Sequence, residues 1–192
     1  MSELLQGVWN NTIHHINCKR LFKKVGKHSF IIRPIRIIGG DRVRIGDYSS
    51  IYHFARIETF DLSDEYDEKI MIGNHVDIQQ NVHITSGSRI EIGNGTLILP
   101  NVLITDIVHP YYDVHISPLN QKLETYAVSI GANCQIGMGA RILPGITIGD
   151  GCIIGTNAVV THSIPKYSVA VGIPAKVIKK YDFQENEWKP VQ

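Results

Sequence analysis

From Ile130 onward, aliphatic residues return at every sixth position: Ile130, Ile136, Ile142, Ile148, Ile154 and Val160. Gly follows four of them, at 131, 137, 149 and 155, and Cys134, Ala140, Ile146, Cys152 and Ala158 hold the fourth place after each. The same spacing runs through Ile45, Ile51 and Ile57, through Ile72, Ile78 and Ile84, and through Ile92, Ile98 and Ile104. A period of six fits neither a 3.6-residue helical turn nor the long alternation of an ordinary strand. It fits short strands joined by turns, with one aliphatic pointing inward at each corner. Three hexads make a triangular coil, and coils stack at the inter-strand spacing of about 4.8 Å. Ile130 is then expected over Ile148, Ile136 over Ile154 and Ile142 over Val160. A lone coil cannot bury its apolar corners, so the pattern implies an array. The repeated Gly residues are expected at turns, where positive φ is cheap without a Cβ. The fold class predicted is all-β, a parallel β-helix over roughly residues 38–165.

Two insertions break the period. Residues 58–71 (ETFDLSDEYDEKIM) are acidic and read as a solvated loop. Residues 105–129 form a longer excursion, and long loops on rigid scaffolds tend to carry function. Ahead of the repeat, in a segment spanning 1–37, Ile13, Ile16, Leu21, Phe22 and Val25 recur at roughly helical spacing among Lys19, Arg20, Lys23, Lys24 and Lys27. This predicts a short amphipathic helix over 11–30 that caps the open end of the stack. Weak peripheral contact with an anionic membrane is the second reading of that basic helix. Residues 166–192 follow the repeat, and their polar end, 181–192, reads as a frayed tail.

Composition sharpens this picture. The 192 residues include 30 Ile against 10 Leu, and β-branched side chains suit strands. A net charge of +1 argues against a nucleic-acid partner. Three Cys, at 18, 134 and 152, form no CxxC pair and no disulfide framework. Cys134 and Cys152 occupy equivalent inward positions and read as small core fillers. MSELLQGVWNN has no apolar signal core, and no 18-residue apolar run occurs, so a cytoplasmic protein is expected.

The candidate chemistry lies in the long excursion. His109 stands five residues past Ile104, where the chain leaves the coil, and Pro110 biases it toward an extended backbone. An imidazole there is suited to take a proton from a hydroxyl as it attacks a thioester. The hexads, the segment Pro100-Asn101-Val102 followed by His109-Pro110, ILPGITIG at 142–149, VVT-x-SIP at 159–165 and VGIPAKVIK at 171–179 together resemble the hexapeptide-repeat acetyltransferases. The galactoside and maltose enzymes and the capsule and lipopolysaccharide sugar O-acetyltransferases are most similar. The resemblance implies a left-handed β-helix, a homotrimer with sites between subunits, acetyl-CoA as donor, and His109 as general base. It maps Gly137, Thr156, Thr161, Lys176 and Lys179 onto the coenzyme groove. Gln79 and Asn81 fall near the acceptor-binding amide of the family, and Tyr111 joins them as a substrate-binding candidate. The related D-H-x-H pattern survives here as Asp106-Ile107-Val108-His109, without its first His. Asp106, Asp113, Glu124 or a backbone carbonyl is left to orient the imidazole. Gln135 stands where many relatives carry Trp.

The implied reaction is O-acetylation of a sugar hydroxyl in a polysaccharide, a lipopolysaccharide or a saccharide precursor. N-acetylation of an amino-sugar nucleotide, or acetylation of an antibiotic, is the alternative. A non-catalytic scaffold and a γ-carbonic-anhydrase-like zinc enzyme are weaker readings. His75, His83, His109 and His115 lack that enzyme's H-x4-H spacing, and no metal is expected.

Overall fold

A computed structural model describes residues 19–191. The chain winds through six triangular coils of very short strands. The first three hold β1 (Lys24–Val25), β2 (Phe30–Ile31) and β3 (Arg36–Ile38), then β4 (Val43–Ile45), β5 (Ser50–Ile51) and β6 (Arg56–Thr59), then β7 (Ile70–Ile72), β8 (Asp77–Ile78) and β9 (His83–Ser86). The fourth holds β10 (Ile90–Ile92), β11 (Leu97–Ile98) and β12 (Leu103–Thr105), and the excursion contributes β13 (Ile107–Val108) and β14 (Glu124–Thr125). The fifth and sixth hold β15 (Val128–Ile130), β16 (Gln135–Ile136) and β17 (Arg141–Ile142), then β18 (Thr147–Ile148), β19 (Ile153–Ile154) and β20 (Val159–Val160). Finally β21 (Ser168–Val171) stacks on β19, and β22 (Lys176–Asp182) with β23 (Glu187–Pro190) turns back antiparallel.

Each coil gives one strand to each of three parallel sheets, so the molecule is a left-handed parallel β-helix. The expected stack is present: Ile130 pairs with Ile148, Ile136 with Ile154 and Ile142 with Val160. Inside the prism one column runs Ile31, Ile51, Ile78, Ile98, Ile136, Ile154, every member fully buried. A second column is polar. Ser49 Oγ donates to Gly73 O (2.8 Å), Thr96 Oγ1 to Gly131 O (2.9 Å) and Cys134 Sγ to Gly149 O (3.1 Å), each tying its coil to the next, while Val76 interrupts the column in the third coil. Cys134 and Cys152 are small buried fillers as expected, and burial pushes the Cys134 thiol up to about 11.

Four expectations need correction. The Gly residues that follow the inward Ile are not the positive-φ residues. A Cβ on Gly137 would sit 2.5 Å from Ile154 O and 2.6 Å from Thr156 N, so Gly there permits close stacking of coils. Positive φ falls two residues later, on Asn133, Gly139, Gly151 and Asn157, and on Asn81 and Asn101 in earlier coils. The helix expected over 11–30, and with it the helical cap of 1–37, is replaced from Lys24 onward by the strands of the first coil. Pairing of Lys24–Val25 with Arg44–Ile45 satisfies backbone groups that a helix would satisfy internally, and it continues the sheet. Residues 11–18, with Ile13 and Ile16, lie outside the described residues, whereas the basic side chains of the proposed membrane contact, Lys19, Arg20, Lys23, Lys24 and Lys27, lie within them. The tail is not frayed: β23 pairs with β22, and Trp188 meets the Tyr181 ring edge-on at 5.3 Å. Nor is 58–71 wholly solvated. Glu58 and Lys69 at its two ends are buried, while Asp61, Glu65 and Asp67 between them are exposed.

Candidate active site

Both insertions leave the prism from the same corner, between the third sheet (β3, β6, β9, β12, β17, β20) and the first. The third sheet therefore becomes the floor of a site. His83 and Leu103 are register partners on its outer face, and so are Thr85 and Thr105. Phe60 and Leu62 from the first insertion, with Ile107, His109 and Leu123 from the second, wall this floor into a cavity of about 480 Å³. Its polar groups are two imidazoles and two hydroxyls, and the rest of its lining is aliphatic or aromatic. That suits a ligand with an apolar face and a few hydroxyls. Another concavity, about 590 Å³, runs past Gly46, Gly73, Gly93 and Gly131 at another corner and does not include His109.

His109 is exposed and has no hydrogen-bond partner among the described residues, while Pro110 beside it is buried. None of the three candidate carboxylates bonds its ring. Asp106 is fully buried and points back into the stack: its carboxylate accepts from Ser86 Oγ (2.7 Å) and from the N–H groups of Gly87 (2.7 Å), Ser88 (2.9 Å) and Arg89 (2.7 Å). The β9–β10 turn is thus wrapped around an anion supplied by the strand above it. Asp106 fixes where the chain departs, three residues before His109. Asp113 accepts from His115 N–H (2.8 Å), and Glu124 accepts from the Tyr126 hydroxyl (2.7 Å). β13 and β14 pair antiparallel and form the neck of the excursion.

A second imidazole in the cavity escaped the sequence reading as a site residue. His83 Nε2 lies 2.9 Å from Glu58 Oε2, and Glu58 is also bonded by Arg36 Nε (2.9 Å) and Arg56 Nη2 (3.1 Å). Burial raises the Glu58 pKa, but the hydrogen bonds from Arg56 and His83 outweigh it and hold the carboxyl below its ordinary value. An ionised Glu58 accepts the hydrogen bond from His83 Nε2–H and so favours the ring form that carries a proton on Nε2. The signal available in the sequence was weak. His83 directly precedes the inward Ile84, and nothing in its own coil announced Glu58.

Other candidates are distributed. Gln79 Nε2 bonds its neighbour Asp77 (2.9 Å), on the second sheet. Asn81 has φ +59, so the left-handed turn accounts for its residue type, and its side chain faces a smaller cavity beside His83. Tyr111 is 73% exposed and packs against Tyr112 rather than entering the His109 cavity. Gly137 and Thr156 stack at the corner between the second and third sheets. Lys176 pairs with Val171 and Lys179 with Val169 at the top of the second sheet, and Thr161 bonds His162 (2.9 Å) just past β20. No group of three metal-ligating side chains converges among the described residues.

The family model described as bacterial transferase hexapeptide (six repeats) matches residues 127–162, the fifth and sixth coils. Over those two coils the chain carries the hexapeptide repeat of that family. It is 39% identical over 127 residues to WbbJ of Escherichia coli K12, named for O-acetyl transfer in lipopolysaccharide biosynthesis, covering 62% of this chain and 65% of WbbJ. It is 33% identical over 123 residues to the galactoside O-acetyltransferase of the same organism, covering 64% of this chain and 60% of that one. The chain thus spans just under two thirds of these relatives' length. Among solved structures it is similar to AntD, an N-acyltransferase from Bacillus cereus in complex with dTDP and 3-hydroxybutyryl-CoA. The TM-score is 0.73 at 21% identity over 87% of each chain. A hexapeptide-repeat acetyltransferase from Vibrio cholerae complexed with acetyl-CoA gives 0.61 at 22% identity, over 85% of this chain and 74% of that one. At such identities the likeness is one of fold.

Proposed function

We propose that this protein is an acetyl-CoA-dependent O-acetyltransferase acting on a sugar hydroxyl, with His109 as general base. The observation that carries the reading is His109 on the wall of a mostly apolar cavity, where the chain leaves the coil. The named activities of WbbJ and the galactoside enzyme support O- over N-transfer. In the reaction, the imidazole takes the hydroxyl proton as the sugar oxygen attacks the thioester carbonyl. A C–O bond forms, the C–S bond breaks, and the proton passes to the departing coenzyme A sulfur. Apolar neighbours such as Phe60, Ile107 and Leu123 keep water from competing for the acetyl group.

Gly137, Thr156, Lys176 and Lys179 are the coenzyme contacts in this reading, Thr161 the fifth, and Gln79, Asn81 and Tyr111 the acceptor contacts. Gly137 and Thr156 lie at one edge of the third sheet and His109 at the other. A homotrimer, in which a neighbouring copy brings one edge to the other, joins donor and base in one site. The test begins with a thermal-shift titration. Acetyl-CoA at 100 times its Kd stabilises the fold by about 2.7 kcal/mol. Transfer is then assayed against a panel of methyl glycosides and nucleoside diphosphate sugars. His109→Ala is expected to bind acetyl-CoA as wild type does and to lose at least about 100-fold in turnover. Undiminished transfer by that variant removes His109 from the mechanism.

A further inference from the structure

The cavity that holds His109 does not end at His83. A second cavity of about 260 Å³, lined by Asn81, His83, Asn101, Val102, Leu103 and Arg141, shares His83 and Leu103 with it. The two follow the same pair of strands. Residues 81, 83 and 85 lie beside 101, 103 and 105, so together they make one trough across the third sheet, from the corner of Asn81 and Asn101 to the corner of His109. At a rise of about 3.3 Å per residue, β9 (His83–Ser86) alone spans about 10 Å. That is longer than one sugar ring, so an acceptor that fills the trough carries something beyond the ring that reacts.

Charge says what that something is. The outward residues of this sheet include Arg36, Arg56 and Arg141 but a single carboxylate, Glu58. Glu58 is spent on Arg36, Arg56 and His83. Arg141 forms no ion pair among the described residues. Its Nη1 is held by the carbonyls of Asn101 (2.6 Å), Gly139 (2.9 Å) and Ala140 (3.2 Å), while Nε and Nη2 make no bond there. A guanidinium anchored by one nitrogen, with its other donors free beside two Asn amides and an imidazole, is a preorganised oxyanion site. Free neutral saccharides offer it nothing to neutralise.

We propose that Arg141 binds a phosphate of the acceptor, so that the substrate is a phosphorylated sugar precursor whose sugar ring lies over His83 and presents its hydroxyl to His109. This deepens the acyl-transfer reading above and rests on it. Glu58 acts as a positioning residue by holding His83 through Nε2–H. The same chemistry is offered by a nucleoside diphosphate and by a sugar phosphate lacking a base, so the probes separate them.

Calorimetric titrations are run on the full-length protein saturated with coenzyme A, which occupies the donor site. The probes are UDP, galactose 1-phosphate and methyl β-galactoside. Binding of UDP or galactose 1-phosphate, weakened about tenfold or more in Arg141→Gln and largely retained in Arg141→Lys, is expected. An unchanged melting temperature of the coenzyme-bound variant shows that the fold is intact. UDP alone binding points to a nucleotide-linked acceptor, and both phosphates binding equally points to recognition of the phosphate itself. The proposal is overturned if neither phosphate binds at about 5 mM, if Arg141→Gln binds them unchanged, if coenzyme A displaces them fully, or if methyl β-galactoside binds as tightly. Loss of acetyl-CoA binding in wild type would instead overturn the acyl-transfer reading and leave phosphate binding to be judged by itself.

Discussion

At the scale of single residues, Asp106 shows how a buried charge can place a reactive group it never touches. Its four hydrogen bonds hold the 86–89 turn to the strand that launches the excursion. Replacement by Ala leaves the buried N–H groups of Gly87 and Ser88 and the half-buried one of Arg89 unpaired, and each buried orphan costs about 1–3 kcal/mol. Asp106→Ala is therefore expected to destabilise the protein by about 3 kcal/mol or more in urea unfolding, and Asp106→Asn by less. The Asn variant, which stays folded, should also lose turnover while its acetyl-CoA affinity is kept, because the exit point of His109 loosens. Equal stability of Asp106→Ala and wild type would show that the turn has other support. The candidacy of His109 was legible in the sequence because its spacing from Pro100-Asn101 is local. Which of Asp106, Asp113 and Glu124 faces it stayed open for the opposite reason. Whether Asp106 faces the imidazole or the core depends on a turn twenty residues earlier in the chain.

At the scale of elements, the parallel strands followed from periodicity and the ends did not. The first coil keeps the six-residue spacing at Val25, Ile31 and Ile37, but Gly follows only Val25, and with Lys23, Lys24 and Lys27 around it this stretch resembles a basic amphipathic segment when read alone. The antiparallel hairpin of β22 and β23 has no period at all. Its stability comes from the open edge of the second sheet, which would otherwise expose unpaired N–H and C=O groups. Truncation after Asp182 removes β23 and the partners of Lys179 to Asp182. It is expected to lower the melting temperature and to weaken acetyl-CoA binding through Lys176 and Lys179, with the parallel coils retained by circular dichroism. Unchanged acetyl-CoA affinity would free β22 of a coenzyme role.

At the scale of the whole molecule, the prism separates the groups that the proposed reaction must join. His109 leaves one edge of the third sheet, and Gly137 and Thr156 sit at the other. If sites form between copies, a mixture of inactive variants can be active. His109→Ala mixed with Lys176→Ala/Lys179→Ala is expected to regain about a quarter of wild-type turnover after random subunit exchange, because some interfaces then carry both intact halves. Light scattering should report a trimer. Failure of the mixture to regain activity, with exchange verified, would place donor and base on one chain.

The sequence by itself determined the coil, its inward Ile columns and the candidacy of His109, because each is written in spacings of a few residues. A six-residue period admits one economical burial of its aliphatics, whatever the rest of the chain does. Only the tertiary structure decided that both insertions open at one corner, that Glu58 backs His83, that Asp106 serves a turn, and that Arg141 is left without a carboxylate. These relations join residues that lie far apart in the chain, brought side by side by coils of unequal length. A contact of that kind depends on how much chain each insertion takes up before the next strand docks, and the local pattern of residues does not record it.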